Sequence, residues 1–195
     1  MLKYYYDIHI DRGAKIMRES SKAALGGIVA ALAVVVMLAT YISPLLVYTA
    51  PPFAGLLLIF IIKEIGYSWA FGTYAAVSLL SVFVIADKES AVFFTFFFGF
   101  YPILRSFLCK KISIKPLSFF IGLVIFNISL IVSVWFCSYV FGIDYSEITS
   151  GGKSVIILFY GLMNVVFVVY DYLFLKLNVL YDRTLSGKVK KLFRH

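Results

Sequence analysis

Apolar runs that wind into helices of about 20 residues recur six times along the sequence, and helices of that length match the ~30 Å hydrocarbon core of a bilayer. The runs are predicted over 23–42, 48–66, 69–86, 91–108, 117–141 and 154–175. Pro44 ends the first, and Lys63, Glu64 and Gly66 end the second. The second is the shortest: its apolar stretch from Pro51 to Ile62 would rise only about 18 Å, so it must borrow residues at its ends to cross. Only Asp87, Lys88, Glu89 and Ser90 separate the third from the fourth, which makes the pair a tight hairpin. Residues 1–22 form a basic segment in which Tyr4, Tyr5 and Tyr6 suit the headgroup level. Residues 177–195 form a basic tail.

Composition excludes the other classes. The chain is 62% hydrophobic and 14% charged, against about half and about a quarter in soluble domains. Its 10 acidic and 18 basic residues cannot cover the surface of a soluble enzyme of 195 residues. Disorder needs low hydrophobicity, and a disulfide scaffold needs more than Cys109 and Cys137. The first run is too long for a signal-peptide core and no small-x-small cleavage pattern follows it, so it reads as a retained helix. Uninterrupted apolar runs lack the alternation of a membrane barrel. The expected fold is an all-α integral membrane protein, a single bundle of six transmembrane helices over 23–176.

Lysine and arginine beside membrane spans stay on the cytoplasmic side. With six spans, 16 of the 18 fall on the face that carries both termini, and only Lys88 and Lys153 lie opposite. Both termini are therefore expected to be cytoplasmic, in a multi-pass protein of the cell membrane. The net charge of +8 flanks spans instead of forming an aromatic-laced stripe, so no nucleic-acid partner is expected.

No chemistry of catalysis is legible. His9 and His195 lie in the terminal segments, no pair of aspartates sits within a span, and the string Gly151-Gly152-Lys153-Ser154 lacks the first glycine of a phosphate loop, with Glu147 in its place. No enzyme activity, metal or cofactor is expected. Polar groups inside the spans are more informative, because each must find a partner there. Tyr160, Asn164, Phe167 and Asp171 recur on one face of the sixth run, and Asn178 and Asp182 continue it. Asn127, Trp135 and Ser138 share a face of the fifth. Asn127 and Asn164 reach similar depths, so they meet each other or a ligand. Asp171 needs a cation, with Lys63, Arg105 and Lys176 in range. Thr95, Gly99, Pro102 and Ser106 line the fourth run, where Pro102 removes a backbone bond and bends the helix. On the first run Ala23, Gly27 and Ala31 repeat every fourth residue beside Gly26 and Ala30, a smooth strip for a protein contact.

In length, six spans, charge asymmetry, small-residue first helix, the loop Ser43 to Pro52, the Pro52-Phe53-Ala54-Gly55 opening and the basic tail, the chain resembles the substrate-binding subunit, or S component, of energy-coupling factor transporters. The resemblance implies capture of a small solute, a vitamin-like micronutrient or metal ion, from the outer face. It implies a pocket drawn from Tyr48, Thr49, Glu89, Asn127, Trp135, Tyr160 and Asn164. It also implies partners: a transmembrane coupling subunit, met through Ala23, Gly27, Ala31, Gly26 and Ala30, and two ABC ATPases. The other reading of the residues is a non-transporting membrane scaffold or assembly partner, in which the strip packs a permanent neighbour and the asparagines are structural.

Overall fold

A computed structural model describes residues 17–43, 45–112, 115–145 and 152–184. Tyr4, Tyr5, Tyr6, Glu147, Gly151 and the basic residues from 185 onward lie outside that range. Among the described residues six helices are long and apolar enough to cross a membrane: α1 Glu19–Tyr41, α2 Leu46–Glu64, α3 Tyr67–Val84, α4 Lys88–Lys111, α5 Pro116–Phe141 and α6 Gly152–Arg183. No strand occurs among the described residues. Consecutive helices run in opposite directions, so the bundle has a near end, where α1 begins and α6 finishes, and a far end. The chain reads as a multi-pass membrane protein, and its surface agrees. Side chains as apolar as Leu32, Phe83, Ile128, Ile157 and Leu162 point outward, Phe83 to 77% exposure. Water would make such a surface prohibitive, whereas lipid makes it neutral.

The connections follow local chemistry. Gly66, at φ 110°, lets α2 turn into α3 in a conformation closed to other residues, with its N–H donating to the Ile61 carbonyl at 3.0 Å. Between α3 and α4, Asp87 accepts from the Ser90 N–H at 3.2 Å, while Lys88 Nζ donates to the Val82 carbonyl in the last turn of α3 at 2.7 Å and to the Ile85 carbonyl just after it at 2.8 Å. The charged hairpin thus caps the start of one helix and the end of the other.

Two packing systems hold the bundle. Small inward residues of α1, Gly26, Ala30 and Ala33, set that helix against α3, and a methyl on Gly26 would lie 3.3 Å from Thr73 Oγ1. Aromatic rings fill the space among α4, α5 and α6: Phe126 stacks on Phe167 at 5.0 Å, and Phe97, Tyr101, Tyr170 and Phe174 close around them. Such pairs add to the dispersion that replaces the hydrophobic effect in lipid.

α4 winds irregularly just ahead of Pro102, and the irregular stretch is packed. Winding loosens to a π turn over Phe94–Phe98, with Gly99 N–H donating to the Phe94 carbonyl at 2.8 Å. Pro102 has no N–H for the Phe98 carbonyl, and Tyr170 Oη of α6 donates to it instead at 2.7 Å. Tyr74 Oη of α3 donates to the Thr95 carbonyl at 2.7 Å. Two neighbouring helices therefore satisfy the backbone that the irregular winding frees. Tyr170→Phe should lower stability by about 1 kcal/mol. Thermal unfolding in detergent measures this, and an unchanged midpoint would mean that the carbonyl finds another donor.

α6 runs beyond the apolar stretch ending near Leu175. Its 33 residues from Gly152 to Thr184 span about 50 Å. The extension stays helical because its inward stripe still has partners: Tyr181 meets Phe60 edge-on at 5.6 Å, and Asp182 accepts from Lys63 Nζ at 3.0 Å.

Candidate functional site

Three polar centres interrupt the apolar interior. The far-end centre joins Glu89, in the first turn of α4, to Tyr48, in the first turn of α2, and to Tyr145, which follows α5. Tyr48 Oη donates to Glu89 Oε1 at 3.1 Å and Tyr145 Oη donates to the same oxygen at 2.9 Å. Gly142, at φ 64°, ends α5 and turns the chain so that Tyr145 comes back over the bundle. Burial and the Glu89 charge raise the Tyr145 hydroxyl well above its ordinary value, so it keeps its proton and remains a donor. The Tyr48 ring also packs against Phe93 at 5.8 Å and edge-on to Phe159 at 6.3 Å.

The middle centre is a closed pair of amides. Asn127 Nδ2 donates to Asn164 Oδ1 at 3.0 Å, and Asn164 Nδ2 donates to Asn127 Oδ1 at 3.1 Å. Each amide also donates back along its own helix, Asn127 to the Leu123 carbonyl at 2.9 Å and Asn164 to the Tyr160 carbonyl at 2.8 Å. All four N–H bonds are spent, and one acceptor lone pair remains on each side chain. Asn164 lies 12 residues into α6, about 18 Å from the far end, near mid-membrane.

The near-end centre neutralises Asp171. Arg105 Nε donates to its Oδ1 at 2.6 Å and Nη2 to its Oδ2 at 3.1 Å, Tyr101 Oη adds a bond at 2.6 Å, and Arg105 Nη1 reaches Ser118 Oγ. Arg105 and Asp171 are each 3% exposed. Of the three cations in range by sequence, Arg105 is the partner, since its fork matches the carboxylate. Lys63 goes to Asp182.

The expected pocket residues divide accordingly. Tyr48 and Glu89 converge, and Asn127 and Asn164 converge below them. Half-buried Tyr160 lies between, its ring 5.7 Å from Phe159 and its carbonyl holding Asn164. Thr49 belongs to another surface. Its hydroxyl donates to the Leu45 carbonyl at 3.3 Å, and with Pro52, Phe53, Leu56, Val165 and Val169 it lines an apolar cleft of about 160 Å³ between α2 and α6. Trp135 is 63% exposed and stacks flat on Tyr139 at 5.5 Å. It stands on the outer surface as an interfacial aromatic does.

The strip on α1 divides between two faces. Gly26 and Ala30 are buried inside the bundle, whereas Ala23, Gly27 and Ala31 are exposed, with nothing within 4 Å of a methyl built on Gly27. Tyr145 completes the far-end centre and Tyr101 the near-end one, while Tyr170 serves the Phe98 carbonyl of α4; sequence reasoning singles out none of the three. The need of the Phe98 carbonyl, orphaned by Pro102, is the signal that points to one of them. Among the described residues no three His, Cys, Asp or Glu side chains gather as a metal site requires. No protein-family model matches the chain, and no curated protein and no solved structure is significantly similar to it.

Proposed function

We propose that this chain is the membrane-embedded solute-binding subunit of an importer of the energy-coupling factor type. The observation that carries the reading is the meeting of Tyr48, Glu89 and Tyr145 from three separate segments at the far end. Charge is the second support. The near end bears Arg18, Lys22, Lys63, Arg105, Lys110, Lys111, Lys176 and Arg183, so it is the cytoplasmic end and the far end faces outward. A small solute enters there, packs on the Tyr48 ring and is fixed by the Glu89 carboxylate, an apolar site with few polar groups. The amide pair forms its floor. The exposed strip Ala23, Gly27 and Ala31 meets a transmembrane coupling subunit driven by two ABC ATPases.

A second reading, a non-transporting scaffold, is favoured by the amide pair, whose donors are all satisfied without a ligand. Copurification from the native membrane separates the two. Recovery of a coupling subunit with ABC ATPases is the expected result, and recovery of unrelated partners alone would refute it. Asn164→Leu should cost about 1 kcal/mol in stability while abolishing retention of a copurified solute. Loss of retention only in step with loss of folded protein would favour the scaffold.

A further inference from the structure

The near-end and far-end carboxylates are treated differently. Asp171 is held by Arg105 and Asp182 by Lys63, while Glu19, on the exposed surface, pairs with Lys22 at 2.7 Å. Glu89 has no such partner: among the described residues no lysine or arginine pairs with it. Lys88, its neighbour, points away to cap α3. Asp87 is occupied with the cap of α4 and adds negative potential beside it. Both tyrosines donate to Oε1, and Oε2 has no hydrogen bond or ion pair among the described residues. This carboxylate is half-buried beside the rings of Tyr48 and Phe93. A charge in such surroundings is retained where a cation compensates it, and ring faces attract organic cations in particular.

Resting on the solute-binding reading above, we infer that the solute is an organic cation. Its ammonium group seats on Oε2 of Glu89, and its apolar body lies against Tyr48 and Phe93. A divalent metal ion fits less well, because it requires several oxygen ligands and no three acidic, His or Cys side chains gather among the described residues. The hydroxyls of Tyr48 and Tyr145 hold the carboxylate by one oxygen and leave the other aimed at the solute.

The test is a titration of the purified full chain in phosphatidylcholine nanodiscs with benzylamine, which is protonated at neutral pH, against neutral benzyl alcohol and anionic phenylacetate. Benzylamine should bind at least about tenfold tighter than benzyl alcohol, and phenylacetate should not compete. In Glu89→Gln the amide oxygen can still accept from both tyrosines, so the protein should stay folded, with benzylamine reduced to the affinity of the alcohol. Tyr48→Phe keeps the ring and the charge and should bind benzylamine within about threefold of the unsubstituted protein. Equal binding of amine and alcohol, no binding of either, or full benzylamine affinity in folded Glu89→Gln overturns the inference. Copurification with a coupling subunit is read independently of these results, so failure of the cation class and failure of the importer reading are told apart.

Discussion

Gly55→Ala should unseat α2 from α4 and cost about 3 kcal/mol or more. The added methyl would sit 2.1 Å from the Phe98 carbonyl oxygen and 2.6 Å from Tyr170 Oη. Backbone cannot yield as a flexible side chain does. Either α2 withdraws, opening the packing of Leu56 and Ile59 on the aromatic cluster, or Tyr170 lets go of the carbonyl that Pro102 left without a donor. Gly27→Ala is the control, since nothing lies within 4 Å of its methyl. It should be neutral or stabilise by up to about 1 kcal/mol through helix propensity. Thermal midpoints and the monodisperse fraction in detergent compare the two. A Gly55→Ala protein as stable as the unsubstituted one would show that α2 and α4 are further apart than described.

Breaking the near-end ion pair from one side should be as damaging. Asp171→Asn leaves the Arg105 guanidinium charged, 3% exposed and without a counter-charge, at a cost of about 3–5 kcal/mol. Replacing both partners, Arg105→Met with Asp171→Leu, should recover much of that loss, because the desolvation of two charges disappears along with their attraction. Equilibrium unfolding of Arg105→Met, Asp171→Leu and the variant carrying both gives the coupling directly. A loss in the double equal to the sum of the losses in the two singles would show that the pair contributes nothing beyond its separate parts. The unsubstituted pair should also resist added salt, because screening reaches buried charges weakly.

The spans were legible because hydropathy is a collective signal: some twenty side chains must all agree before a helix crosses, and one exception does not hide it. The meeting of Asn127 with Asn164 was legible for a different reason. Antiparallel helices place residues at equal depth, and two amides in lipid have few other partners. Direction around each helix was harder. Periodicity says which residues share a face but not what the face meets, so Trp135 grouped with Asn127 although it stands outside. The same ambiguity joined Gly26 and Gly27 into one strip, while a step of about 100° sends one into the bundle and the other out of it. Tyr145 was illegible because it follows a glycine turn, beyond the reach of helical spacing. Tyr170 was hidden because a tyrosine on an apolar face reads as packing until the orphaned carbonyl opposite is noticed.

The π turn in α4 lies between Glu89 and Arg105, so one stretch of loosened winding sets the angle between the far-end and near-end centres. Drawing its extra residue back into regular α winding would twist one half of α4 by about 100° against the other. Glu89 and Arg105 would then not both reach their present neighbours. The helix works like a geared shaft with a fixed offset, and Tyr74 and Tyr170 are the pins that keep the offset from slipping.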